Sequence, residues 1–169
     1  MNLSTKQQVI LGIVEHGSRL NLKLKHLNSK HSANIILELV SAIRQFGFPT
    51  FIRTDNEHCF TSSYMTLGLK FLGIKHQRSD ITCPWQNGRI ERFFGTFKSK
   101  FKQLDWSSFN VRGLQVELDL FQVWYNYVRV HSNLNDQTPA EFFTKSKTRG
   151  KPQFVSDWDG VLSGYYFPD

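Results

Sequence analysis

Cysteine is scarce in this chain, and long apolar stretches are absent. Only two cysteines, Cys59 and Cys83, occur among 169 residues, and they do not form a Cys-x-x-Cys pair. This pattern excludes a disulfide framework and argues against a zinc site. The longest apolar run near the start, Val9 to Val14, is broken by Gly12 and is too short for a signal peptide or a membrane span. We therefore expect an intracellular protein, cytoplasmic and without a membrane partner.

Acidic residues are outnumbered by basic ones. The chain has 14 Asp and Glu against 21 Lys and Arg, which gives a formal net charge of +7. Such a balance favours polyanionic partners, nucleic acid first, although many basic proteins bind no polyanion. Apolar residues make up 40% of the chain, with 15 phenylalanines, so a packed core in a single domain is expected.

The order of predicted elements indicates an α/β domain with a mixed sheet. A segment rich in Val and Ile, followed after a break by an alternating segment, predicts an antiparallel hairpin of two strands. A helix followed by a strand predicts a parallel crossover. The predicted strands are Val9–Glu15, Arg19–Leu27, Thr50–Thr54 and Ile74–Arg78; the predicted helices are Ala33–Ile43, Ser63–Leu72, Gln86–Leu104, Arg112–His131 and one that begins at Pro139.

The last predicted helix has a clear start. Thr138, Pro139 and Glu141 form a capping box, with Thr138 as the N-cap and Glu141 reaching back. The basic segment Lys147–Lys151 then resembles a linker. We expect a core over 1–146, followed by a linker and tail over 147–169.

One acid, Glu91, stands among basic residues on the predicted helix Gln86–Leu104. At 100° per residue, the apolar residues gather on one arc, which indicates the buried face. These are Ile90, Phe93, Phe94, Phe97, Phe101 and Leu104. Glu91 shares a neighbouring arc with Asn87, Gly95, Lys98 and Lys102. It could be a solvated surface charge paired with a lysine, which would contribute little.

Asp55 suggests another role for Glu91. Asp55 ends a predicted strand, and a strand-end carboxylate and a helix carboxylate can converge on one divalent cation. The neighbouring basic residues would then bind a phosphate backbone. This hypothesis explains an acid within a basic surface.

Several motifs together resemble those of integrase-core transposases of bacterial insertion sequences, the Asp–Asp–Glu group. They are "GIVEHGSR" at 12–19, "TDN" at 54–56, "NGRIERFFGTFK" at 87–98, "WYNYVRVHSNL" at 124–134 and "TPAEFF" at 138–143. The interval from Asp55 to Glu91 is also typical of that family. Each motif alone is moderately specific, and their order and spacing make the resemblance highly specific.

The resemblance implies a ribonuclease H-like fold and DNA strand cleavage and transfer with Mg²⁺ or Mn²⁺. Asp55 and Glu91 would be the catalytic metal ligands, and transposon ends and target DNA the partners, in a nucleoid-associated protein that forms a homo-oligomer or joins a full-length transposase. Trp85 is a candidate for stacking on a base, and His131 could contact DNA or pack a helix. The predicted DNA-binding residues are Asn56, Trp85, Asn87, Gly88, Arg89, Arg92, Lys98, Lys102, Arg129 and His131.

The chain departs from the family pattern in its first acid. No Asp precedes Asp55, and neither Glu15 nor Glu38 matches the family's first catalytic position. We therefore expect an N-terminally truncated core that lacks the first strand of the sheet, with impaired metal binding and catalysis. Two alternatives stay open: a non-catalytic nucleic-acid-binding remnant or regulator of a full-length transposase, and a nuclease that recruits Glu15.

Overall fold

The first two strands form the predicted hairpin. The structure, a computed structural model, describes residues 8–80, 84–104, 111–146 and 150–168. Strand β1 (Val9–Val14) pairs antiparallel with β2 (Asn21–Leu27), with an irregularity in register between Ile13 and Val14. The hairpin prediction is confirmed.

A helical crossover leads to a parallel strand pair. Helix α1 (Ser32–Phe46) ends at Gly47, whose φ of 91° suits glycine. Strand β3 (Phe51–Thr54) follows, then the short α2 (His58–Thr61), α3 (Ser63–Phe71) and β4 (Lys75–Arg78). Strands β3 and β4 pair in parallel, with Thr54 opposite Arg78. The parallel crossover is confirmed, whereas α2 was not predicted.

The sheet is divided rather than continuous. Within the described residues, β1–β2 and β3–β4 are separate two-stranded sheets. A cleft of about 700 Å³ lies between them. Its apolar lining comes from both sheets, α1 and the later helix α4, and includes Leu11, Ile13, Leu39, Ile43, Ile52 and Phe94. The α/β class is confirmed, and the expected mixed sheet is present as two parts.

Helices cover the second half of the chain. A 3-10 turn (Pro84–Asn87) leads into α4 (Gly88–Phe101), and α5 (Val111–Val123) continues as a π-helical turn, Trp124–Val128. The expected helix through His131 ends earlier, at Val128. The N–H of the next residue, Arg129, donates to Trp124 O at 2.9 Å, which closes the turn, and Arg129 is extended.

The sixth helix begins as predicted. Helix α6 (Pro139–Thr144) has the capping box, in which Thr138 Oγ accepts from Glu141 N at 3.3 Å and Thr138 N donates to Glu141 at 2.8 Å. The predicted cap is confirmed. None of the helices within the described residues is long and apolar enough to cross a bilayer.

Two apolar clusters form the interior. The first joins β2, α4, α5, the π turn and the tail; its buried members are Leu24, Phe93, Phe97, Leu114, Leu118, Phe121, Trp124, Tyr125, Val128, Trp158 and Leu162. The second lies between α1, α3 and the strands, and contains Leu27, Ile35, Leu39, Ile43, Cys59, Met65, Leu69 and Ile74. Phe93 and Phe97 are 0% and 3% exposed, so the predicted buried face of α4 is confirmed.

The tail adds a hairpin to the first cluster. Strands β5 (Gln153–Asp157) and β6 (Leu162–Tyr166) pair antiparallel, and Leu162 is fully buried. The indole N–H of Trp124 donates to Ser163 O at 3.1 Å. The tail is thus packed onto the core, while residues 147–149 of the predicted linker lie outside the described residues.

Candidate functional site

Ser79 ties the end of β3 to the start of α4. Its N–H donates to Thr54 O at 2.9 Å, and its hydroxyl lies 3.1 Å from the same oxygen and 2.5 Å from Asn87 Oδ1. The amide of Asn56 donates to Ser79 O at 2.8 Å. Ser79 is only 6% exposed. Because one buried residue holds all three partners, the segment after β3 and the N-terminus of α4 are fixed beside each other.

A second set of hydrogen bonds supports this junction. Asp80 N donates to Gln86 Oε1 at 3.1 Å, and Gln86 Nε2 donates back to Asp80 Oδ2 at 3.0 Å. The guanidinium of Arg53, on β3, donates to Gln86 O at 3.3 Å. These contacts set the direction in which the chain enters α4.

The two predicted metal ligands follow the two joined segments. Asp55 comes directly after Thr54, is exposed, and accepts from Glu57 N at 3.0 Å through Oδ1. Glu91 lies one turn into α4 and is also exposed. Among the described residues there is no group of three or more His, Cys, Asp or Glu side chains placed to hold a metal. The site therefore offers two carboxylates on adjoining elements.

The turn after β1 faces the same region. Burial, followed by the positive charges of Arg89 and Arg53, lowers the pKa of His16 below its ordinary value. His16, Arg53, Asp55, Asn87 and Arg89 all line the cleft between the two sheets. His16 is thus a neutral neighbour of two arginines at neutral pH, and Arg53 and Arg89 bring positive charge to the mouth of the cleft where Asp55 lies.

Glu15 is occupied by its own turn. Its carboxylate accepts from Gly17 N at 2.9 Å, Ser18 N at 2.5 Å and Ser18 Oγ at 2.6 Å. Burial alone would raise the pKa of Glu15, but these hydrogen bonds outweigh it and hold the pKa below its ordinary value. The carboxylate therefore serves the β1–β2 turn, which disfavours its recruitment as a third metal ligand.

The outer face of α4 is open and basic. Glu91, Lys98 and Lys102 are exposed along it, as are Arg89 and Arg92 further round. In the described part of the chain, no atom beyond the helix itself and the adjacent residues lies within 4 Å of a methyl group placed at Gly88 or Gly95. Trp85 stands at the head of the helix with 73% of its surface exposed. A polyanion could approach this face without steric obstruction.

Two residues of the predicted DNA-binding set are integrated into the fold. The Arg129 guanidinium lies over the rings of Trp124 at 5.9 Å and Tyr125 at 5.7 Å. His131 is only 7% exposed and its ring packs edge-on against Tyr125 at 5.1 Å. The His131 side chain thus lies in the interior, away from the open face of α4, which favours the packing role over DNA contact.

Sequence reasoning missed Ser79 and His16 as parts of this region. Ser79 directly follows β4, which is the position where a strand-end residue meets the next element. His16 lies within the "GIVEHGSR" segment. The neighbouring ion pair between Lys30 and Glu57, with N to O at 3.1 Å, was also not predicted.

Comparison with known proteins finds a matching family model. Residues 72–139 match the family model described as the integrase core domain. This segment is thus similar to an integrase core domain. The matched segment includes Ser79, Glu91 and Arg129, whereas Asp55 lies outside it.

Relatives and a solved structure agree with this assignment. The chain is 29% identical over 153 residues to the ORF3 candidate integrase of Spiroplasma virus SpV1-C74, covering 81% of this chain and 42% of that protein. It is 31% identical over 103 residues to the uncharacterized 39.2 kDa protein of insertion element IS476 from Xanthomonas euvesicatoria, covering 61% of this chain and 30% of that protein. The chain thus spans less than half the length of these curated relatives.

The ribonuclease H-like fold is supported by structural similarity. The catalytic core domain of HTLV-2 integrase, solved in complex with magnesium, superposes with a TM-score of 0.68 at 19% identity, covering 85% of this chain and 89% of that one. The chain therefore has the fold expected from the sequence.

Proposed function

We propose that this chain is the catalytic-core portion of a DNA transposase or integrase, which cleaves DNA strands and transfers them to new sites. The observation that carries the proposal is the Ser79 junction, because it fixes the Asp55 segment beside the N-terminus of α4, where Glu91 lies. The proposed core covers 1–146 and is followed by a linker and tail over 147–169, of which β5 and β6 pack onto the core.

Asp55 and Glu91 would hold Mg²⁺ or Mn²⁺. The donor set fits such an ion, because hard divalent cations take carboxylate oxygens and are bound through one or two carboxylates together with substrate phosphates. A bound divalent ion supplies activation of the attacking oxygen and stabilisation of the leaving oxygen in phosphoryl transfer. The chain's own residues support this site: Glu57 N donates to one oxygen of Asp55, and Ser79 fixes Asn87, which precedes the helix that carries Glu91.

The open face of α4 would bind the DNA backbone. Arg89, Arg92, Lys98 and Lys102 are exposed there, and lysine and arginine supply the phosphate contacts that dominate DNA affinity. Trp85, 73% exposed at the head of the helix, would stack on an unpaired base. Asn56, Asn87 and Gly88 complete this proposed edge of the site.

Catalysis by the chain alone is proposed to be impaired. Two carboxylates hold a cation less firmly than three, and the Glu15 carboxylate is already engaged by Ser18 and Gly17. The second candidate function is a nucleic-acid-binding regulator of a full-length transposase. It is favoured by the same shortage of free carboxylates. Association with such a protein, or with a second copy, would take place on DNA in the nucleoid.

A Mn²⁺-binding assay distinguishes the catalytic core from the nucleic-acid-binding regulator. We expect Asp55→Asn and Glu91→Gln each to weaken Mn²⁺ binding at least about tenfold, because the loss even of supporting residues costs that much at metal sites. Asp159→Asn removes an exposed acid from a tail turn at φ 51°, which Asn tolerates, and serves as the charge-matched control. The measurement is a Mn²⁺ titration followed by electron paramagnetic resonance.

A DNA assay completes the test. Wild-type Mn²⁺ affinity in both variants, together with DNA binding unaffected by metal, would refute the metal site and leave the regulator. Efficient strand transfer by the chain alone, with Mn²⁺ and DNA of the element's ends, would contradict the proposed impairment.

A further inference from the structure

Three arginines lie on segments that pack around one buried ring, Tyr125. Arg19 precedes β2, Arg92 lies on α4, and Arg129 follows the π turn. Arg129 and Arg19 act electrostatically on Tyr125, and Arg92 and Arg19 act on Arg129. We call Arg19, Arg92 and Arg129 the arginine cluster.

The Tyr125 ring contacts two of the segments that carry the cluster. It is 2% exposed and packs edge-on against Phe93, the residue after Arg92, with ring centroids 4.9 Å apart. The Arg129 guanidinium lies 5.7 Å from the centroid of the same ring. The helix segment that carries Arg92 is therefore packed against the turn that carries Arg129 through buried rings.

Asparagine contacts bring Arg19 to the same place. Asn21 N donates to Asn126 Oδ1 and Asn126 Nδ2 donates to Asn21 O, both at 2.9 Å and both buried. Asn21 lies two residues after Arg19, and Asn126 lies three residues before Arg129. This reciprocal pair joins the turn that carries Arg19 to the turn that carries Arg129.

The charges of the cluster act on Arg129 and His131. Burial, opposed by Tyr125 and reinforced by the positive charges of Arg92 and Arg19, lowers the pKa of Arg129 below its ordinary value. Burial, then the charges of Arg129 and Arg19, lowers the pKa of His131 to about 4. Arg19 and Arg92 thus act electrostatically on Arg129, and His131 is neutral at pH 7.

The cluster lacks a counter-ion within the described residues. There, the only ion pair within 4.0 Å joins Lys30 to Glu57. Glu15, the acid nearest to Arg19 in the sequence, is engaged by Gly17 and Ser18. Like charges held together without an acid are relieved by a bound anion, and the guanidinium fork matches phosphate oxygens in a bidentate manner.

We propose that Arg19, Arg92 and Arg129 form a discrete binding site for one backbone phosphate of a DNA strand that passes beside Glu91. Arg92 follows Glu91 directly on α4, so a phosphate held here would orient the strand along the open face of that helix. The inference that this phosphate belongs to DNA rests on the proposed function. The site itself rests on the cluster and differs from the diffuse charge of Lys98 and Lys102.

The test removes two cluster arginines and leaves the packed one in place. The double variant Arg19→Asn with Arg92→Gln suits the structure, because Asn tolerates the φ of 63° at Arg19 and Arg92 is exposed. Lys70→Gln with Lys75→Gln removes the same charge from exposed positions on α3 and β4 and is the matched control. Circular dichroism confirms that both variants are folded.

DNA binding is measured by fluorescence anisotropy in EDTA over a range of salt concentrations, with a single-stranded and a duplex oligonucleotide. EDTA makes the result independent of metal binding. A negative result for the arginine cluster is therefore distinguishable from failure of the proposed metal-dependent function. We expect the cluster variant to bind DNA about tenfold more weakly than the control, and its salt dependence to fall by about one phosphate contact. Arg19→Lys with Arg92→Lys keeps the charge without the fork and should bind with intermediate affinity.

A second assay uses inorganic phosphate to test whether the cluster binds a phosphate group. At equal ionic strength, phosphate should raise the Tm of the wild type more than chloride does, and this difference should disappear in the cluster variant. Equal DNA affinities of the cluster variant and the control, with the phosphate effect retained in the cluster variant, would overturn the site. Loss of the phosphate effect with unchanged DNA affinity would overturn the assignment to DNA.

Discussion

The reciprocal asparagine pair predicts a large loss of stability from Asn126→Ala. Asn126 is 5% exposed and Asn21 is fully buried. The substitution removes both hydrogen bonds between them, each 2.9 Å long. Asn21 O keeps a second donor, because Gln122 Nε2 lies 2.8 Å away. Asn21 N loses its partner and stays buried.

The magnitude follows from these two consequences. A buried N–H without a partner costs about 1–3 kcal/mol, and the lost second hydrogen bond costs about 1 kcal/mol more. We expect Asn126→Ala to lower the free energy of unfolding by about 2–4 kcal/mol, a large part of the ~5–15 kcal/mol of a typical domain. For a chain of this length the Tm should fall by about 5–15 °C.

Urea unfolding followed by tryptophan fluorescence measures the effect. Gln122→Ala is the control, since it removes one of two donors to Asn21 O and leaves Asn126 in place. We expect the control to lose about 1 kcal/mol or less. Equal losses in the two variants would show that the asparagine pair does not hold the β2 start against the π turn.

Two further predictions concern buried polar side chains. Ser79→Ala removes a hydroxyl whose single proton is shared between Asn87 Oδ1 at 2.5 Å and Thr54 O at 3.1 Å. The free energy of unfolding in urea should therefore fall by about 1–2 kcal/mol, and Mn²⁺ binding should weaken. An equal loss of stability in the exposed control Ser99→Ala would contradict this reasoning. His131 has a pKa of about 4 against 6.5 ordinarily, because burial and the charges of Arg129 and Arg19 disfavour its protonation. The contribution of neutral His131 to the free energy of unfolding is therefore fully present above pH 6.5. It is lost as the pH falls towards 4, by up to about 3 kcal/mol. His131→Gln should flatten the acid side of the stability profile, and a profile as steep as that of the wild type would refute the assignment.

The elements that sequence predicted well are those specified by local patterns. The spacing of Phe93 and Phe97 indicated the buried face of α4, and Thr138 with Glu141 indicated the start of α6. Alternation of apolar residues predicted the β1–β2 hairpin. These patterns act over a few residues, so the chain itself carries the information.

Elements that depend on distant partners were missed or misplaced. The β5–β6 hairpin owes its place to Leu162, which is buried among helices far away in the sequence. The predicted helix through His131 was too long, because a π turn closes at Val128 and the next residue is extended. The propensity of a segment does not include the tertiary contacts that override it.

The sequence by itself determined the α/β class, the basic character and the two candidate metal ligands, Asp55 and Glu91, because motif order and residue periodicity are properties of the chain. Only the tertiary structure decided that Ser79 joins their segments and that Asn21 pairs with Asn126. The physical reason is that these groups are brought together by buried hydrogen bonds and ring packing between residues separated by tens of positions. Such contacts are made only once the core has formed.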